Sequence, residues 1–473
     1  MKAIKYLVMG ALLTGFSATA NAQEAELNAA LDGIKSQAPN VAKLAEAAFK
    51  KNKKNPEAIL KIAQAFYAQK DTANARKYAN LSNEAGKPKY QFAPAYLLLG
   101  DIEASYGTDG GKAASYYNQA ITFNPKNPEG YKKWAMVYRK ISPTQAAKKL
   151  EEMKVQCPDE DIDAFKGHIF MLANDEKQAY ENYAKADINK LDKLGLNEFV
   201  RCSYFTGHFA DAVRAAEAGI KLEPRNPTFN RIAMFANYEL KNYDAAKDYI
   251  HKYFFETDSA KISEYDHFYT ALIYQALEDK ANMYAHYDKA LELVNDQSMI
   301  KRWSILKSVS DSYLKDKEFE NAIKYYEQYL ACKPNLNFDD EEGMANIYSK
   351  YGDAEPAKKK EMISKAIALF GTLAEKYPVQ VVYATFMRAG LNNKLDDNMK
   401  NNLAKADYQK VVDLLANKAD RTKGEDTMLK TSYHYLMYNA FLNKNTAGAK
   451  EIAEKILVID PEYKSALEIL KLK

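Results

Sequence analysis

This chain predicts an all-α fold, an α-solenoid of about 11–12 antiparallel helix hairpins, and three observations carry that expectation. Prolines fall near one phase of a cycle of about 37 residues: Pro56, Pro88, Pro125, Pro158, Pro224, Pro334, Pro378 and Pro461, eleven steps from first to last with some phases unmarked. Between them, apolar residues recur at offsets of three and four, the spacing of a helix buried along one stripe. The length, 473 residues, is too great for one compact core. A solenoid escapes that limit because each hairpin buries its stripe only against its neighbours.

Residues 1–22 predict a signal peptide: Lys2 and Lys5 precede an apolar run from Tyr6 to Phe16, and Ala20 and Ala22 set a cleavage site before Gln23. The run is too short to span a bilayer, and no later segment reaches the length a spanning helix needs. A lipoprotein needs a cysteine just after such a run, and the first is Cys157. The expected product is periplasmic or secreted. Residues 23–55 predict an N-terminal hairpin, with Leu27, Leu31 and Ile34 on one helix and Val41, Leu44 and Ala48 on the next, ending in Lys50, Lys51, Lys53 and Lys54.

Residues 56–336 predict the regular array. Ile59, Ile62, Ala63 and Phe66 open one unit, and Ala75, Ala79 and Ser82 close it. Tyr96, Leu99, Gly100 and Glu103 pair with Ala113, Tyr117 and Ala120, then Tyr131, Trp134, Ala135 and Tyr138 with Ala146, Leu150 and Met153. A weaker unit places Phe165, His168 and Leu172 before Ala179, Tyr183 and Ala186. The pattern recovers through Leu196, Phe199, Val200, Ala212, Ala216 and Gly219, and continues to Phe229, Ile232, Ala246 and Ile250. Tyr269, Leu272 and Ile273 then face Met283, Tyr287, Ala290 and Leu293. Residues 337–461 predict degenerate units with an insertion near 353–360, and residues 462–473 a capping helix with Leu467 and Leu470 inward.

The clearest unit runs from Trp303 to Leu336, with Leu306, Val309, Ser310 and Tyr313 on its first helix and Ala322, Tyr326, Tyr329 and Pro334 after them. These offsets, with the Leu99–Gly100 pair, resemble the tetratricopeptide repeat. The resemblance implies a right-handed superhelix whose first helices line a concave groove, and a non-enzymatic scaffold or adaptor that binds a protein or peptide there. By that resemblance the groove takes Gln64 and Tyr67, then Lys132, Lys133, Met136, Arg139 and Lys140, then Lys307, Asp311 and Lys315. In the last full unit it takes His434, Tyr435, Tyr438 and Phe441. The cations suit a carboxylate or acidic segment, the aromatic set an apolar one. An envelope complex is the implied setting.

Other chemistry finds little footing. A formal charge of +4, or +2 once Lys2 and Lys5 are removed, does not predict nucleic-acid binding. No G-x-S-x-G, H-E-x-x-H, G-x-x-x-x-G-K or G-x-G-x-x-G stands in the chain, and no metal or cofactor is expected. Ser304 and Lys307 match S-x-x-K inside a repeat helix, and His267 and His286 fall on neighbouring helices without a third ligand. Cys157, Cys202 and Cys332 are expected as buried packing residues rather than disulfide partners. A carbohydrate-binding envelope protein is the rival reading of the 35 tyrosines, and a hydrolase with an unrecognised site the remaining one.

Overall fold

The structure is a computed structural model describing residues 18–258 and 260–472, with side chains from Gln23 onward. The predicted leader lies mostly outside the described residues. The chain divides into two units, Met1–Ala260 and Lys261–Lys473.

The first unit is a series of hairpins: α1 (Ala18–Lys35) with α2 (Val41–Lys51), α3 (Pro56–Ala68) with α4 (Thr72–Ala85), and α5 (Ala93–Tyr106) with α6 (Gly110–Phe123). Next come α7 (Pro128–Tyr138) with α8 (Pro143–Gln156), α9 (Asp163–Leu172) with α10 (Glu176–Tyr183), and α11 (Lys193–Phe205) with α12 (Phe209–Leu222). The last pair is α13 (Pro227–Glu239) with α14 (Tyr243–His251), which runs on into a π turn at Lys252–Glu256. The second unit holds α15 (Glu264–Ala276) with α16 (Lys280–Leu293), α17 (Arg302–Lys315) with α18 (Phe319–Cys332), and α19 (Phe338–Ala354) with α20 (Lys359–Lys376). It ends with α21 (Val381–Leu395) and α22 (Lys405–Leu415), α23 (Lys423–Leu442) and α24 (Thr446–Ile459), and α25 (Lys464–Leu470). The described residues are all-α, as the spacing predicts.

The proline cycle has a structural cause. Every one of its eight prolines lies where a second helix gives way to the next first helix, in the connection or at its end. There a missing N–H costs nothing, whereas inside a helix it breaks the ladder. Asn55 caps α3 by accepting from Ala58 N at 3.1 Å, with Pro56 as its first residue. Asn127 before Pro128 and Asn226 before Pro227 repeat the device. The turn inside a hairpin is a different motif. Lys70, Asn174, Gly207, Lys241, Glu278, Lys317 and Lys444 all take positive φ. The residue after each bonds back to the first helix, as in Asp71 N to Phe66 O at 3.0 Å and Glu318 N to Tyr313 O at 2.9 Å.

Inside a hairpin, side chain size on one helix is matched to space on the other. A Cβ on Gly100 would lie 2.6 Å from Cδ1 of Tyr117, and one on Gly167 2.6 Å from Cδ2 of Tyr183, so the ring occupies what a methyl would fill. Where the first-helix residue at that place is large, its partner is small: Val200 stands opposite Ala216 and Met437 opposite Ala453, all four fully buried. Packing at crystal-like density requires such compensation.

Several expected packing residues face elsewhere. Leu172, Leu293, Leu403 and Leu414 are exposed at or beside the ends of their helices, and Leu467 is exposed in the middle of α25. On α25 the inward residues are Ala466 and Ile469 instead of Leu467. Cys202 is buried, but Cys157 is half-buried and Cys332 exposed, since both sit at the open end of a second helix. The expected insertion near 353–360 lengthens helices: α19 has 17 residues and α20 has 18, against 14 each for α17 and α18.

Replacing Gly100 with alanine is expected to destabilise the chain by about 1–3 kcal/mol, the usual cost of overpacking. Combining it with Tyr117→Leu should return a coupling term of opposite sign in a double-mutant cycle followed by urea unfolding.

Candidate functional site

In the first unit the first helices touch one another across the array, α1 with α3, α3 with α5, α9 with α11 and α11 with α13. Their side chains therefore share a face within α1, α3 and α5 and again within α9, α11 and α13, and polar groups on both stretches are met by buried tyrosines from the second helices.

Two such hubs repeat the same chemistry. Tyr117 on α6 donates its hydroxyl to Asp101 Oδ1 at 2.8 Å, and Lys133 on α7 donates to both oxygens of Asp101 at 2.7 Å. Tyr67 on α3 bonds Ser105 at 2.9 Å one turn beyond Asp101. Three successive first helices are thus tied together. Tyr183 on α10 likewise donates to Glu198 Oε2 at 2.6 Å, and the same carboxylate meets His168 Nδ1 at 2.9 Å. Burial and the adjacent carboxylate both push the Tyr117 and Tyr183 phenols far up, so they stay protonated donors. Burial also raises Asp101 above the usual carboxylate range despite the ammonium beside it. Lys133, which burial alone would lower, is held above its ordinary value because it faces Asp101 and Glu129 together.

The expected groove residues divide accordingly. Lys133 is consumed by Asp101, Lys132 by Glu160 at 2.7 Å, and Arg139 turns its guanidinium onto the Met136 carbonyl of its own helix. Met136 is half-buried against the core formed by Tyr131 and Leu150. Gln64 and Lys140 are exposed. The spacing rule that puts Lys133 inward also puts Asp101, Glu198 and Arg201 there, since each falls between packing residues of a first helix. Those three are the face's missed residues.

In the second unit Lys307 bonds Asp311 at 2.7 Å, one turn on in α17, so its ammonium is held away from a role with Ser304. Lys315 borders a shallow cleft of about 280 Å³ that Gln275, Lys280, Ser312 and Asp316 also line. Tyr287 donates to Gln275 at 3.2 Å and Gln275 to Ser312 at 3.1 Å, an uncharged version of the two hubs. The aromatic set near the end is reassigned in part. Tyr435 is 3% exposed and packs on Tyr408 at 4.6 Å, so it belongs to the core. Neighbouring Tyr438 lies half-buried 4.9 Å from His434, whose ring also meets Tyr463 beside the capping helix. Phe441 is 38% exposed.

No family model matches the chain, and no curated protein does. Solved structures do. They are tetratricopeptide repeat proteins. The C-terminal part of one from Cytophaga hutchinsonii is 20% identical, matched over 58% of this chain and 100% of its own, with a TM-score of 0.46. Another, from Parabacteroides merdae, is 15% identical over 51% of this chain and 94% of its own, with a TM-score of 0.33. A third, described as having an unusual peptide-binding site, is 14% identical over 52% and 97%, with a TM-score of 0.27. The present chain is likewise built of antiparallel helix hairpins, with Gly100 and Gly167 each against a second-helix tyrosine and prolines at the connections between hairpins.

His267 on α15 and His286 on α16 do meet, Nδ1 to Nδ1 at 2.9 Å. Among the described residues no group of three or more metal-ligating side chains forms around them. Burial lowers both, His286 to about 4, because the imidazolium is poorly solvated there and His267 stands beside it. The unfolded chain therefore takes up protons first as pH falls. Stability is full above about pH 6.5, and about 1–2 kcal/mol should be lost between there and pH 4, allowing for partial exposure. Thermal melts across that range should show the loss in the protein and a shallower one in His286→Gln.

Proposed function

We propose that this chain is an exported, non-enzymatic scaffold that holds an acidic segment of a partner protein along the first-helix face of its first unit. The observation that carries this reading is the state of the charges on that face. Its two central carboxylates are already met, Asp101 by Lys133 and Glu198 by His168. Lys61, Lys140 and Arg201 are exposed, and among the described residues none has a carboxylate within 4.0 Å. At these three cations the charge is uncompensated and positive, so the segment complementary to them is negative.

Apolar anchors accompany those cations. Phe205 is 61% exposed one turn after Arg201, and Leu172 is 42% exposed at the matching end of α9. Arginine beside an exposed aromatic side chain is the composition of energetic centres at protein interfaces. The lysines, apolar run and small residues before Gln23 support export, with the mature chain in the periplasm or outside the cell and an envelope assembly as the setting.

Fluorescence anisotropy with a panel of extended peptides tests this. Peptides combining acidic and apolar residues should bind, and Arg201→Glu or Lys140→Glu should weaken them about tenfold or more. Lys132→Gln, which removes an internal pair, should leave affinity within about twofold. Equal binding of neutral peptides would overturn the acidic reading. Binding to glycans in place of any peptide would overturn the scaffold reading in favour of a carbohydrate-binding one.

A further inference from the structure

We propose that a second surface of the first unit, the edge made by its first three connections between hairpins, docks on an anionic membrane. Antiparallel hairpins put every second-to-first connection of a unit on the same edge. The first of these, with the last turn of α2 that leads into it, carries Lys50, Lys51, Lys53 and Lys54. The next, between α4 and α5, carries Lys87 and Lys89, and the third, between α6 and α7, carries Lys126. Residues 50–55, 86–92 and 124–127 contain no acid, so they hold +7 in a chain whose formal total is +4. Everything else sums to −3.

All seven lysines are exposed, and among the described residues the only carboxylate within 4.0 Å of any is Glu46, 3.8 Å from Lys50. Glu57, Glu84 and Glu129, each three residues along the chain from one of these lysines, leave the edge net positive, and Glu129 is itself met by Lys133. Adjacent hairpins pack about 10 Å apart, within roughly one Debye length, so the fields of neighbouring connections add. The patch is bounded. In the fourth connection, Asp159, Glu160 and Asp161 reverse the sign.

The chemistry of the edge selects a lipid surface. Its cations are all lysines, point charges that suit a diffuse array of headgroups, and none is an arginine, whose fork suits one defined phosphate or carboxylate. Tyr90 stands among them, 53% exposed, on a backbone held by Tyr96, whose hydroxyl donates to the Tyr90 carbonyl at 2.8 Å. Phe123 lies stacked on Tyr96 at 5.5 Å, itself 37% exposed. Exposed aromatic rings flanked by lysine are the side chains that settle at the headgroup level of a bilayer. No described helix is long and apolar enough to cross a membrane. Docking here is therefore peripheral and governed by salt.

Sedimentation of the purified protein with vesicles tests this. Vesicles containing roughly a third phosphatidylglycerol in phosphatidylcholine should bind it, and phosphatidylcholine alone should not. Raising salt from about 0.05 M to about 0.5 M should abolish binding. The variant Lys53→Glu, Lys54→Glu, Lys87→Glu, Lys89→Glu should bind at least tenfold more weakly. The variant Lys360→Glu, Lys400→Glu, Lys405→Glu, Lys410→Glu, which makes the same charge change in the second unit, should bind as the parent does. Circular dichroism checks that both variants are folded. Equal losses in the two variants would overturn the proposal by reducing it to net charge. Capture of soluble polyglutamate without vesicle binding would overturn it in favour of an acidic protein partner. Peptide binding through Arg201 and Lys140 is untouched by either variant, so the two readings fail separately.

Discussion

The close approach of a second-helix tyrosine to a small first-helix residue is the constraint from which the rest of the first unit follows. At Gly100 and Gly167 the ring of Tyr117 or Tyr183 fills the space a side chain would take. That contact sets how near the two helices of a hairpin lie. It also carries a phenol through the hairpin to its far side, where the hydroxyl must find an acceptor or be left buried and unpaired. Asp101 and Glu198 are those acceptors. A packing requirement thus becomes a polar requirement one layer away.

That polar requirement decides which charges the first-helix face can offer. Each carboxylate brought in to satisfy a phenol is itself costly to bury, and a side-chain nitrogen from a neighbouring hairpin offsets the cost: Lys133 for Asp101, His168 for Glu198. These bonds join α5 to α7 and α9 to α11, so they also stiffen the stacking of one hairpin on the next. The cations that remain outside the network, such as Arg201, are those available to a ligand. In the second unit the Tyr287, Gln275 and Ser312 chain satisfies the phenol without charge, and the face there differs for that reason.

The two ends of a hairpin obey different rules. Seven of the turns inside hairpins are tight, each with a residue at positive φ. Connections between hairpins have only to start the next helix, which a proline or an asparagine cap does in one or two residues. Several of their remaining positions, Lys53, Lys54, Lys87 and Lys89 among them, are exposed. Lysines can gather there without cost to the fold, which is how an edge of the array comes to carry a charge so unlike that of the whole chain.

Much of this was legible before any coordinates. The helical class, the hairpin period and the burial of residues such as Ile59, Leu99, Tyr131 and Leu306 follow from apolar spacing and from the place of each proline, because helix geometry converts spacing directly into a face. Spacing does not say what a polar residue on the exposed face will meet. Lys132, Lys133 and Lys307 stand at positions that point away from the core, yet each is met by a carboxylate, one from the connection before α9, one from another helix and one from the next turn. Tyr435 sits among residues that alternate with the stripe, yet Tyr408 from the preceding hairpin covers it. The sequence alone determined which residues form helices and which stripe each helix buries, since those are local matters. Tertiary structure decided which surface charges remain free, because pairing depends on distances between helices that no single period encodes.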